Sequence, residues 1–269
     1  MKKIYLPFLI VLLTLTLSAC ARTSTYRVGA SPTPHAEILR EAKKHIDPAF
    51  DFEIVEFYDY VLPNTALHEG DLIANFFQHI PYLEAQIADH GYDFVNIGGV
   101  HIEPIGLYTL EHASLDALPD TLEIIVSNSP ADRPRLLGVL ETAGLITIKA
   151  DTTAEAITAS AIRNLPALFD SEHSVTFKEV DPTQLYANYA NRSGDLVLIN
   201  GNFALDHGLN PLEDALAVES TVSPYVNVLV TNSDDADNAF IEALYAVLKS
   251  EAIAEWIETE FGGSVILAD

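Results

Sequence analysis

Arg135 is one of only fourteen lysines and arginines in a chain with thirty-nine aspartates and glutamates. It opens a predicted helix after the loop Asn128-Ser129-Pro130-Ala131-Asp132, where its planar guanidinium suits two-point pairing with a carboxylate and the helix N-terminus adds a favourable field. Arg133 competes for the role, and a plain surface ion pair would account for either residue. Asn200 ends the run DLVLIN and Asn227 follows Ser223-Pro224-Tyr225, so both amides project from strand ends, where α/β proteins hold ligands. Turn formation explains such asparagines equally well. In NFFQHIPYL, residues Phe77, His79 and Tyr82 present aromatic faces with polar tips just ahead of a helix. Core packing is the bland account, and a thioether ligand is the functional one, because sulfur rests favourably against aromatic rings.

Signatures of catalysis are missing: there is no GxSxG elbow, P-loop, GxGxxG, HExxH or CxxC. Nine histidines invite a metal reading, yet His79, His101 and His112 lack ligand spacing. No catalytic residue, metal or cofactor is assigned. The net charge of −25 opposes nucleic-acid binding, which needs clustered cations.

Positioning these groups falls to two α/β units. Strand-like and helix-like stretches alternate from Tyr26: a strand to Ala30, a helix around His35–His45, Asp51–Phe57, a helix near Asn64–Glu69, Asp71–Phe76, a helix around Tyr82–His90, and Phe94–Ile97. The alternation predicts a parallel sheet. A polar, turn-forming stretch at 111–120 marks a boundary, and Thr121–Ser127 begins a second series. It continues through a helix near Arg133–Ala143, a helical stretch around Thr153–Phe169, strands at Val175–Val180 and Asp195–Asn200, and a helix near Pro182–Tyr189. The strand Val226–Thr231 and an amphipathic tail with Phe240, Leu244, Val247 and Leu248 return to the first unit. The expected division is 26–112 with 223–269 as one lobe and 113–222 as the other, with a ligand cleft between them.

Residues 1–19 combine Lys2 and Lys3, a short apolar run and Ser18-Ala19, the pattern of a secretion leader. The single cysteine, Cys20, follows at once and resembles a lipobox, so its thiol would carry lipid and 20–25 would tether the fold to a membrane.

Several long motifs in order resemble the NlpA/MetQ family of methionine-binding lipoproteins: VGASPTPHAEIL, EIVEFYDYVLPNTAL, NFFQHIPYL, VHIEPIGLY, the 128–135 loop, AGLI, LINGNFAL and SPYVNVLV. The resemblance implies a two-lobed periplasmic-binding-protein fold (type II, Venus-flytrap). It further implies a lipid-anchored protein facing the periplasm or cell exterior, which carries methionine to an ABC transporter permease powered by a partner ATPase. By position, Arg135 would grip the ligand carboxylate, Asn200 and Asn227 its polar end, and Phe77, His79 and Tyr82 its side chain, with Tyr60 and Asn64 as further candidates. The family commonly has Asp-Pro-Thr-Asn where this chain has Ser129-Pro130-Ala131-Asp132, and an acidic residue at Ile73. D-methionine, a methionine-containing dipeptide, a methionine derivative or another small amino acid therefore stay open as ligands. A hydrolase or lyase using His79 or His101, or a ligand-free scaffold, are the rivals from other classes.

Overall fold

The computed structural model describes residues 26–220 and 223–268; the leader, Cys20 and the tether lie outside them. The chain first lays down β1 (Tyr26–Ala30), α1 (Glu37–Ala42), β2 (Phe52–Glu56), α2 (Leu62–His68), β3 (Ala74–His79), α3 (Ile80–His90) and β4 (Phe94–Ile102). It then crosses to a second lobe: β5 (Gly106–Tyr108), β6 (Thr121–Ser127), α4 (Arg133–Thr142), β7 (Thr147–Ile148), α5 (Ala154–Ala159), β8 (Phe169–Asp170), β9 (Ser174–Val180), α6 (Leu185–Ala190), β10 (Leu196–Ile199), α7 (Gly201–Asp206), α8 (Pro211–Asp214) and β11 (Ala217–Val218). It returns through β12 (Val226–Asn232), α9 (Ala239–Leu248), α10 (Glu251–Phe261) and β13 (Ile266–Leu267).

The described residues form two large sheets, ordered β13-β4-β12-β3-β1-β2 and β11-β5-β10-β6-β9, and a small antiparallel pair of β7 with β8. Adjacent residues within a strand face opposite cores, as the two-residue period requires. Ile124 and Leu196 join Leu136, Leu137 and Leu140 of α4 on one side. Ile125 and Val197 join Leu185 and Phe203 on the other. In the first lobe, Val28 and Phe76 pack against Ile38, Phe240, Leu244 and Ile253, while Leu67, Leu83 and Val228 fill the opposite face. Burying a side chain such as Phe240 completely contributes about 2 to 3 kcal/mol.

Three expectations need correction. The sheets are mixed, not purely parallel: β12 lies antiparallel between β3 and β4, because β4 carries the chain out to the second lobe and β12 brings it back. The first crossing falls at 103–105, ahead of residue 112, since β5 pairs with β10 and β11. The stretch around Thr153–Phe169 is not one helix. Thr153 caps α5 through its side chain, Ser160 turns extended, and a 3-10 run with Pro166 inside it leads into β8, as the missing proline N–H favours. The tail likewise divides at Ser250, whose hydroxyl caps α10 by accepting the Ile253 N–H.

Candidate functional site

The three strands at the junction bring the site together. Asn227 of β12 stands opposite His79 of β3 and His101 of β4, and β12 slips register just after Asn227, a device that re-aims a side chain. A cavity with about 400 Å³ of atom-free space, partly open to solvent, lies between the lobes. Its first-lobe walls are Tyr60, Phe77, Gln78, His79, Tyr82 and Asn227; Glu103 comes from the crossing segment, and Asp132, Arg135, Asn200, Gly201 and Asn202 come from the second lobe.

Tyr60, Phe77 and Tyr82 form a triangular cage, with ring centroids 6.3, 6.0 and 6.2 Å apart pairwise. The Tyr60 hydroxyl donates to Asn202 Oδ1 at 2.6 Å across the lobes, and the Tyr82 hydroxyl donates to the Tyr60 carbonyl at 2.8 Å. Gly201 is needed at this wall, because a Cβ there would sit 2.9 Å from Glu103 Cβ and from the Pro104 carbonyl oxygen.

His79 caps α3: its Nδ1 accepts the Tyr82 backbone N–H at 3.1 Å. The ring proton must then be on Nε2, which donates to Asp132 Oδ1 at 3.1 Å. Asn200 Nδ2 donates to the other Asp132 oxygen at 3.2 Å, while Asn200 Oδ1 is buried with no partner. Burial opposes the Asp132 charge, but the His79 hydrogen bond, Arg135 and Asn200 outweigh it and hold the carboxyl below the usual carboxylate range.

Arg135 is 6% exposed and lines the cavity, but its charge is already matched. Nε donates to Glu219 at 3.0 Å, Nη2 donates to Glu219 and to the Glu103 carbonyl, and Nη1 lies 3.8 Å from Asp132. Its guanidinium carbon sits 4.5 Å from the Tyr225 ring centroid. Arg133 points elsewhere, binding the Thr158 and Ser160 carbonyls and Glu179.

Behind the wall, Glu103 Oε1 receives His101 Nε2 at 2.6 Å and His35 Nε2 at 3.1 Å. Burial drives both imidazoles down, to about 3 for His101 and about 4 for His35, and lifts the Glu103 carboxyl above its usual range. Among the described residues this is the group whose ligand atoms lie close enough to hold a metal ion. The contacts have hydrogen-bond lengths, with one carboxylate oxygen serving both rings, while His101 Nδ1 is buried with no hydrogen-bond partner.

Of the residues singled out from the sequence, Phe77, His79, Tyr82, Arg135, Asn200, Asn227 and Tyr60 line the cavity. Asn64 does not: it is fully buried, and trades hydrogen bonds with Gln78 at 3.0 and 2.8 Å and accepts from Asn75 at 2.9 Å. It orients the Gln78 wall from behind, because α2 stacks on the far side of β3. Gln78, Glu103, Asp132, Gly201 and Asn202 were missed. All five fall inside the motifs that carried the resemblance, but nothing in their types separates a lining residue from a neighbour.

The NlpA lipoprotein model matches residues 26–268. A methionine-binding lipoprotein MetQ of Bacillus subtilis is 37% identical over 99% of this chain and 98% of its own length. A D-methionine-binding lipoprotein MetQ of Escherichia coli is 34% identical over 89% and 87%. Among solved structures, a nutrient binding protein from Burkholderia cenocepacia bound to methionine superposes with a TM-score of 0.80 at 33% identity, covering 91% of this chain and all of that one.

Proposed function

The chain belongs to the NlpA lipoprotein family, and on that footing we propose that it is the substrate-binding lipoprotein of an ABC importer, holding methionine or a close relative in the interlobe cleft. The observation that carries this is the aromatic cage of Tyr60, Phe77 and Tyr82 facing a polar wall of Asp132, Arg135, Asn200 and Asn227 in one cavity. A thioether fits the cage, since sulfur about 5 Å from a ring gains roughly 0.3 to 1.5 kcal/mol. The polar wall takes the amino-acid end. No helix of the described residues is long and apolar enough to cross a membrane, and anchoring falls to lipid on Cys20.

Lobe closure on the ligand is the mechanism. The Tyr60–Asn202 and His79–Asp132 hydrogen bonds join the lobes directly, and both form only when the cleft is shut. The closed face then docks on the permease, whose ATPase supplies energy, and the ligand leaves chemically unchanged. Mass spectrometry of the compound released on denaturation, followed by calorimetric titration of L-methionine into stripped protein, tests the reading. Absence of any methionine-bearing compound and of binding heat removes it; turnover of a bound compound makes the protein an enzyme instead.

A further inference from the structure

A primary amide has two unlike ends, an oxygen that accepts and an NH2 that donates, so the end facing the cavity decides what the wall can hold there. Asn200 and Asn227 both line the cavity, and they are turned in opposite senses. Asn200 spends its NH2 on Asp132 and keeps its oxygen without a partner. Asn227 instead turns its oxygen back into the first lobe, where Oδ1 lies 3.2 Å from His35 Nε2, and its NH2 is the end left for the cavity. The wall thereby offers an acceptor at one amide and a donor at the other.

The sense of Asn227 is set from behind. His35 is 1% exposed and is not among the residues lining the cavity. Its Nδ1 lies 2.6 Å from Ser31 Oγ, and its Nε2 faces two oxygens, Asn227 Oδ1 at 3.2 Å and Glu103 Oε1 at 3.1 Å. One neutral tautomer suits those neighbours: the proton sits on Nε2, and the Ser31 hydroxyl donates to Nδ1. The other would set the Nε2 lone pair against both oxygens. Burial pushes the ring down to about 4, so it presents a single donor on that edge. Glu103 does not depend on this proton, because His101 Nε2 reaches the same carboxylate oxygen at 2.6 Å. The His35 ring is also held edge-on to Phe76, with centroids 4.8 Å apart. Asn227 stands on a strand paired on both sides, which leaves the flip of its amide as the freedom to be fixed. Oxygen and NH2 are close to the same size, so packing alone does not choose between them, whereas a hydrogen-bond donor behind the amide does.

We propose that His35, although it does not reach the cavity, is a positioning residue for ligand binding: oriented by Ser31, it holds the Asn227 amide with its NH2 toward the ligand and so keeps that position a donor. An Asn227 amide freed from His35 can flip, and its oxygen then meets the ligand's carboxylate with repulsion in place of a hydrogen bond. This rests on the reading of the cavity as a site for methionine or a close relative.

Calorimetric titration of L-methionine into ligand-stripped wild type, His35→Leu, His35→Gln, Asn227→Ala and the His35→Leu/Asn227→Ala double variant tests it. His35→Leu removes the donor and is expected to weaken binding about tenfold, the loss that follows when a hydrogen bond to a charged group is given up. His35→Gln, whose amide nitrogen falls near the place of Nε2, is expected to restore most of the affinity. Because His35 acts through Asn227, His35→Leu is expected to weaken binding no further once Asn227 is alanine, a non-additivity that general loosening of the fold does not produce. Ser31→Ala, expected to weaken binding a few-fold, carries the test should His35→Leu fail to fold. Nitrogen-15 spectra of the histidine rings, recorded without ligand, are expected to show His35 protonated on Nε2. Additive losses in the double variant, wild-type affinity in His35→Leu (or in Ser31→Ala where His35→Leu does not fold), or a ring proton on Nδ1 overturns the positioning role while leaving the methionine site intact. A wild type that binds no methionine removes the reading of the site, and this role with it.

Discussion

Acidification should unfold this protein through two buried histidines. His35 and His101 titrate near 6.5 when unfolded, but burial holds them at about 4 and about 3 in the fold. Between those values the unfolded chain binds protons that the native state refuses, so stability is present above about pH 6.5 and drains away as pH falls toward 4. At roughly 1.4 kcal/mol per unit, moving from pH 7 to pH 5 costs close to 2 kcal/mol for each ring, or about 4 kcal/mol together. Glu103 acts with the opposite sign. Burial lifts its carboxyl, so the native state is the better proton binder there, and acidification returns part of the loss. The net expectation is a clear fall in stability. Urea unfolding read by circular dichroism at several pH values measures it by linear extrapolation. A midpoint that holds steady or rises between pH 7 and pH 5 refutes the reasoning, because it requires the rings to be charged already or the carboxyl to dominate. His35→Gln with His101→Gln should flatten the slope.

Further outcomes follow from single contacts. Asn64→Leu strands Gln78 and Asn75 in the buried amide network, and should cost about 2 to 3 kcal/mol in chemical denaturation while weakening ligand binding. Gly201→Ala forces a methyl against Glu103 and the Pro104 carbonyl; an expected loss of about 1 to 3 kcal/mol should appear as a lowered melting temperature with weaker binding, and unchanged values would show that this wall yields. Tyr60→Phe removes the hydrogen bond to Asn202 and should bias the lobes open, visible as a larger radius of gyration in solution scattering at subsaturating ligand. Ser250→Ala, far from the cleft, deletes the α10 cap and should lower stability by about 1 kcal/mol with the same ligand affinity as wild type.

Asp132 and Glu103 show where residue-by-residue reading stops. Both sit in stretches that stood out in the sequence, yet an aspartate before Arg133 reads as a helix-start residue and a glutamate before a proline reads as a turn. Their roles appear only in the folded chain: Asp132 meets His79 across the lobes, and Glu103 takes His35 from far along the chain as well as its neighbour His101. Arg135 teaches the converse. Its type and place were legible, and it does reach the cavity, but its match with Glu219, eighty-four residues away, could not be read from spacing.

What the sequence by itself determined was local and periodic: the strand and helix alternation, the two-unit organisation, the aromatic run of β3 and the family motifs. Each depends on side-chain patterns over a few residues, which act before the chain is compact. What only the tertiary structure decided was the antiparallel placement of β12 between β3 and β4, and the row of His79, Asn227 and His101 that it creates. The balance of charge in the cleft belongs to the same class. Strand order is fixed by which faces can be buried together once both lobes exist, and a buried charge acquires its meaning only from the partners that closure brings within hydrogen-bonding reach.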